Sequence, residues 1–453
     1  MGTRWNFASW VWISLGCVAL ITAVTGWAWW ATNGETPYPL DDTFIHLAIA
    51  RNLASGHWGI HPGEVANASS SPLYTALIAV LGIAGVPWLW IPLAINVLSA
   101  ILLLGAAAEI LSHFTVPIHT ARFALGGLVV LLPLPYIAMF GMEHTLHSAI
   151  ALLFVSAAIQ TLNGGRIGFL LMLGPLMMGI RLESAFIIGI TGLSLLALRR
   201  FQDALFLGIA SSLPIVVIGI LNVSLGEHFL PNSILLKAGI SSGGSVWMLP
   251  FAVLQKSVLQ AFAAPHFIAI LVVLIAVADV ALKQTRDWRN PRVLWPMASA
   301  LAIIGHLCFA NIGWLYRYEV YLVALSVVGF AISAPRPRRW MLMIFVIPLA
   351  FRTWQCASVL PSAILHINAQ QVQMAHFVQQ NFDTEALAAK LLLVPAYTSA
   401  FPISRRRWPQ LSPEPHCLHR QRVSSWKEMH PSKMPVAQQG SDSPLPSTSC
   451  DLS

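Results

Sequence analysis

The sequence predicts an all-α membrane protein of about eleven transmembrane helices, and three observations carry that prediction. Of 453 residues, 56% are hydrophobic and only 10% are charged, against about 25% charged in soluble domains. The mean hydropathy is +0.69. Apolar runs near the roughly 20 residues that a membrane helix needs recur along the chain. The net charge of +8 falls in short clusters between those runs. Positive-inside loops have that pattern, so the charge reads as topology and not as a nucleic-acid surface.

The first apolar run, residues 8–30, follows only Arg4. It exceeds the about 7–15 residues of a signal-peptide core, so it reads as a retained first helix. The next, 73–87, is short and bounded by Pro72, Gly85 and Pro87, so it is expected to lie along the membrane. Runs at 90–111, 122–140, 145–162, 166–180, 184–198, 203–223, 265–282, 293–311, 318–333 and 339–355 each read as a crossing. With the N-terminus inside and 73–87 on the surface, Arg199-Arg200, Lys283 to Arg292 and Arg336 to Arg339 all fall in the cytoplasm.

This arrangement divides the chain into a transmembrane domain over 1–355, with residues 31–89 as a first outside loop carrying juxtamembrane helices. A short outside helical segment follows over 356–392, where "AILHINAQQVQMAHFVQQNF" is amphipathic. A tail over 393–453 completes the chain. Residues 401–453 hold eight prolines and ten serines, too few apolar groups to offset ordering entropy. The tail reads either as ordinary disorder or as a frameshifted replacement of an outside domain. The five cysteines (17, 308, 356, 417 and 450) form no CxxC pair and give no redox or zinc signal.

The predicted outside face collects "DD" at 41–42, "FGMEH" at 140–144, "IRLES" at 180–184, "LPNSILLKAG" at 230–239 and "WLYRYE" at 314–319. Charged groups at membrane depth are expensive and normally line a cavity or pair with one another, so one shared cavity is expected. Each residue also has a plainer reading. Asp41 and Asp42 could cap the helix that begins at Thr43. On that helix Phe44, Ile45, Leu47, Ala48 and Leu53 form an apolar face, with His46 and Arg51 on the polar side. Glu143 could serve a helix start, Arg181 and Glu183 could pair with each other, Lys237 behind Asn232 could snorkel, and Arg317 could anchor an aromatic belt. His46, His57 and His61 have no metal-ligand spacing, so no metal and no cofactor are expected.

The stretch "DDTFIHLAIARNLASGHWGIHPGEVANASSSPLYTALIA" resembles the first outside loop of polytopic glycosyltransferases of the C superfamily, in the arabinofuranosyltransferase-like branch. "GMEHTLHSAIALL", "RLESAFI", "LPNSILLKAG" and "GWLYRYEVYLVAL" are similar, in order, to further motifs of that branch. The resemblance covers about residues 8–380. The chain departs from it at Leu182, where the branch has proline, and at His46 to Ile49. The resemblance implies an inverting transfer of a sugar from a polyprenyl-phosphate donor to a cell-envelope glycan or lipid acceptor at the outer face of the plasma membrane. It implies an aspartate base, Asp41 or Asp42, and substrate contacts from Arg51, Glu143, Arg181, Glu183, Asn232, Lys237 and Arg317. The chemistry is consistent, since such a transfer needs a base near the acceptor hydroxyl and cations near the departing phosphate. A transporter and a noncatalytic remnant are the alternatives.

Overall fold

In the computed structural model, residues 7–60, 69–230, 249–334, 337–373 and 376 are described. They form fifteen α-helices and no strand. In chain order these are α1 (Phe7–Ala31), α2 (Asp42–Ala54), α3 (Pro72–Ile83), α4 (Ile91–His113), α5 (Ile118–Leu131), α6 (Leu134–Met139), α7 (His144–Leu162) and α8 (Gly168–Ile180). Then come α9 (Ser184–Ala197), α10 (Phe201–Ser224), α11 (Leu249–Ala263), α12 (Pro265–Thr285), α13 (Pro291–Phe309), α14 (Val320–Ser333) and α15 (Arg339–Ile367). Seven helical stretches among the described residues, including α7, α10, α12 and α13, are long and apolar enough to cross a membrane. The chain is an all-helical membrane protein.

Burial sorts the helices. The most apolar window of α7 is 83% buried, whereas those of α10 and α15 are 17% and 22% buried. The central helices are therefore α7 and α14, whose residues Val320 to Ile332 are all buried. Peripheral helices turn Phe206, Ile209, Phe351 and Trp354 outward, the apolar exposure that lipid tolerates and water does not. Hydroxyls inside the apolar helices bond back to the preceding turn, as Ser99 does to Ile95 (2.7 Å) and Ser326 to Leu322 (2.6 Å). Such back-bonds satisfy these donors in a medium without water.

Two ends of the bundle differ in chemistry. At one end, Arg200 donates to the Thr161 carbonyl and, at 3.2 Å, to that of Gly165. There too, Asn163 donates to the Arg289 carbonyl (3.2 Å) and Ser333 to that of Arg292 (2.7 Å). The α7–α8, α9–α10 and α12–α13 connections thus share this basic end. At the other end, the starts of α2, α7, α9 and α14 converge.

The sequence reading needs correction at several places. The run 122–140 is broken into α5 and α6 around Leu132-Pro133, because proline offers no N–H to the helix and clashes with the preceding turn. A helix also forms at α11, where no apolar run was expected. The helix from Arg339 continues unbroken past 355 to Ile367. His46, expected on the polar face, is 3% exposed, since Tyr74 and Thr75 of α3 and Glu143, just before α7, lie against its ring. Asn232, Lys237, His61 and all of 377–453 lie outside the described residues.

Candidate functional site

The site is built on a latch between the first loop and the start of α7. Thr43 donates to the Phe140 carbonyl (2.5 Å) and Tyr74 to that of Gly141 (2.8 Å). Gly141 has φ +67, and a Cβ there would stand 2.7 Å from both Thr43 and Tyr38. Only glycine meets both demands. The latch holds α2 and α3 against the turn that carries Glu143.

Glu143 stands at the N-cap position of α7 without a side-chain cap bond and is wholly buried. One of its oxygens accepts from Arg181; the other lies 3.6 Å from His46 Nε2. The Arg181 guanidinium also forks onto Glu183, with Nε donating to Oε2 at 3.1 Å and Nη2 to Oε1. Such bidentate geometry is the strong form of the charge-assisted bond. His46 Nδ1 meets the Thr75 hydroxyl at 2.9 Å, and Thr75 meets Ser69 at 3.0 Å. A chain of contacts therefore runs from α3 through α2 and α7 to the α8–α9 turn.

Arg317 closes the site from the turn before α14. It pairs with Asp42 and donates to the Tyr318 hydroxyl at 2.9 Å. Both Arg181 and Arg317 stack on the Tyr318 ring, at 5.0 and 4.9 Å from its centroid. Behind this layer lies a second buried group. Glu319 bonds His266 at 3.0 Å and faces Arg352 at 3.6 Å, and Arg352 donates to the Tyr316 carbonyl at 2.8 Å. That carbonyl belongs to a turn with φ +58 at Leu315 and +60 at Tyr316, values that persist only where surroundings impose them.

The electrostatics separate the carboxylates. Burial and the neighbouring Asp42 charge push the Asp41 carboxyl above its ordinary value, against a weaker pull from Arg317. The side chain of Asp41 accepts from the Asp42 amide at 2.9 Å and is half-buried. For Glu183, burial acts upward but Arg181 outweighs it, holding the carboxyl down at about 2. His46 is pushed down chiefly by burial, with Glu143 opposing. Among the described residues, no group of three or more His, Cys, Asp or Glu lies close enough to share a metal ion.

The structure therefore gathers Asp41, Asp42, Glu143, Arg181, Glu183 and Arg317 at one end of the bundle. Arg51 stands elsewhere. It lies over the Trp88 ring at 5.4 Å, nine residues or roughly 13 Å along α2 from Asp42. Sequence reasoning missed His46, Thr75, Tyr318 and the Glu319–His266–Arg352 group. The signal for Tyr318 and Glu319 was present, because they flank Arg317 inside the stretch singled out. Compared with protein families, curated proteins and solved structures, the chain finds no match.

Proposed function

We propose that the chain is an integral membrane glycosyltransferase that moves a sugar from a polyprenyl-phosphate donor to an envelope glycan or lipid acceptor, with inversion. The observation that carries this reading is the division of labour between the two adjacent aspartates. Asp42 is engaged by Arg317, whereas Asp41 is half-exposed, raised in pKa and bonded only to a backbone amide. A raised carboxyl nearer the working pH is the better general base. Asp41 takes the acceptor proton as its oxygen displaces the phosphate at the anomeric carbon. Arg317 and Arg181 face the departing phosphate, supported by the positive ends of α2, α7, α9 and α14, each carrying about half a charge. Lys237 and Asn232, as the resemblance implies, would come from the 230–239 stretch, and Arg51 would meet the donor farther from the reacting centre.

Topology follows the same reading. The seven long helical stretches, with α5, α8, α9 and α14, make eleven crossings, and α2 and α3 lie along the membrane at the site end. Positive-inside bias puts the basic end and the N-terminus in the cytoplasm and the site outside. The test is transfer of radiolabelled sugar from polyprenyl-phosphate donors to the envelope fraction by membranes carrying the protein. Asp41→Asn should reduce transfer by about 10²–10⁴-fold at unchanged membrane insertion. Full transfer by both Asp41→Asn and Asp42→Asn would refute the base. Solute uptake by vesicles, with no glycosyl product from any donor, would replace the enzyme by a transporter.

A further inference from the structure

A crevice of about 430 Å³ opens between α7, α9, α12 and α13. It is far from the aspartates: its walls run from Trp288 and Val293 at the basic end to Leu301 within α13. Val293 to Leu301 is eight residues, so the crevice is roughly 12 Å deep along the bundle axis. Its lining is almost wholly apolar, and Ala158, Ala278 and Ala298 make the gap by being small. The only charged side chain lining it is Asp279, which is paired with Lys283 at 2.6 Å.

The rim differs from the walls. The chain on either side of Trp288 carries Lys283, Arg286, Arg289 and Arg292, against Asp279 and Asp287. Lys283 is taken by Asp279, and Arg289 lies 3.7 Å from Asp287. Arg286 and Arg292 form none of the ion pairs among the described residues, and both are exposed. An apolar slot lined by Trp288 and Val293, whose chain neighbours Arg286 and Arg292 are exposed and uncompensated, matches an amphiphile with an apolar chain and an anionic head. Basic pockets between membrane helices recognise lipid headgroups in this way.

We propose that this crevice is a binding site for one anionic phospholipid, an acyl chain lying between α9, α12 and α13 and the phosphate meeting Arg286 and Arg292. Charge complementarity selects the lipid, because a zwitterionic headgroup would carry its cation into the same basic rim. The site is independent of the sugar-transfer reading, and so is its test.

The purified full-length protein would be exchanged into detergent containing equal phosphatidylglycerol and phosphatidylcholine, and retained lipids counted by native mass spectrometry. One phosphatidylglycerol should be retained at least tenfold over phosphatidylcholine. Arg286→Gln with Arg292→Gln should bring the ratio near one. Ala298→Phe, which fills the slot, should lose the retained lipid altogether, and Arg339→Gln at the same end should change nothing. If Ala298→Phe disturbs folding, shown by its gel-filtration profile, the exposed arginine pair still decides. Equal retention of the two lipids by the wild type would overturn the proposal. So would an unchanged ratio in the double variant, or an Arg339→Gln effect as large as that of the pair.

Discussion

Replacing Arg181 by Met tests whether the site is an electrostatically closed unit. The variant keeps the bulk of the side chain and leaves Glu143, which is 0% exposed, and Glu183, whose side chain is 20% exposed, without their shared cation. Glu183 moves from an ordinary value of 4.5 to about 2 in the fold, a difference of roughly 3 kcal/mol at about 1.4 kcal/mol per pKa unit. Removing one partner of a buried pair typically costs about 3–5 kcal/mol, so the two figures agree. With about 2.1 cal/mol/K of unfolding entropy per residue, 3 kcal/mol is ~3 °C in a chain of this length. The sign of the pH dependence is more telling than the size. In the wild type the folded pKa of Glu183 lies below the unfolded one. Its stabilisation is complete above about 4.5 and fades as the pH falls toward 2. In Arg181→Met the Arg181 contributions are lost, and burial, the largest cause, is opposed only by the weaker pull of His306 and a backbone bond, so the folded value rises above the unfolded one. Stability is then greatest at low pH and declines as the pH rises through the folded value. Thermal unfolding in detergent, followed by tryptophan fluorescence from pH 4 to 7, should show a flat or rising wild type and a falling variant. Arg181→Met with Glu183→Gln should abolish the falling slope and recover part of the loss at pH 7. A variant as stable as the wild type with the same pH slope would refute the reasoning.

Gly141→Ala should cost about 2–4 kcal/mol, because it adds αL strain to a methyl 2.7 Å from Thr43 and Tyr38; thermal unfolding measures it. Arg352→Gln should cost about 3–5 kcal/mol by stripping Glu319 of a buried cation, and should raise proteolytic cleavage near 314–317, read by mass spectrometry. In a background with the native cysteines replaced, Cys at position 57 should react with an impermeant thiol reagent in spheroplasts and Cys at position 199 only after permeabilisation. The reverse pattern would overturn the proposed orientation. Removal of residues 400–453 should leave the unfolding temperature of the membrane helices unchanged, and a fall of several degrees would show that the tail contributes to the fold.

Helix positions were legible wherever long apolar runs end at breakers. The runs expected over 145–162 and 184–198 became α7 at His144–Leu162 and α9 at Ser184–Ala197. Composition failed where polar and apolar residues mix. In α11, Gln255, Lys256 and Gln260 interrupt the run that would have announced it. Amphipathicity misled at α2, because α3 and Glu143, just before α7, cover the side on which His46 lies. There the polar His46 is buried against Glu143, and its ring nitrogen finds Thr75 instead of water. The basic loops shared one end in the sequence reading through parity alone. The structure reaches the same grouping through contacts, with Arg200 bonded to the α7–α8 turn and Asn163 to Arg289.

The roles of Asp41 and Asp42 could not be separated in sequence, and the reason is physical. Neighbouring residues share composition, exposure class and helix end, so any local argument applies equally to both. What separates them is Arg317, 275 residues away in the chain. Its guanidinium reaches Asp42 because the turn at 314–317 adopts left-handed backbone at Leu315 and Tyr316, and Arg352, within α15, donates to the Tyr316 carbonyl. Asp42 is occupied by the guanidinium, whereas burial and repulsion from Asp42 raise the proton affinity of Asp41. On the proposed glycosyltransferase reading the pairing would do two things at once: fix a cation near the donor phosphate and leave the adjacent carboxylate basic. Arg317→Lys distinguishes this from simple charge balance. Lysine keeps the charge but loses the planar guanidinium whose Nη2 serves both Asp42 and the Tyr318 hydroxyl while its face lies on the Tyr318 ring. In the radiolabel assay, transfer should fall at least tenfold, while thermal unfolding shifts by less than for Arg181→Met. Full transfer by Arg317→Lys would show that position, as opposed to charge, is immaterial at this residue.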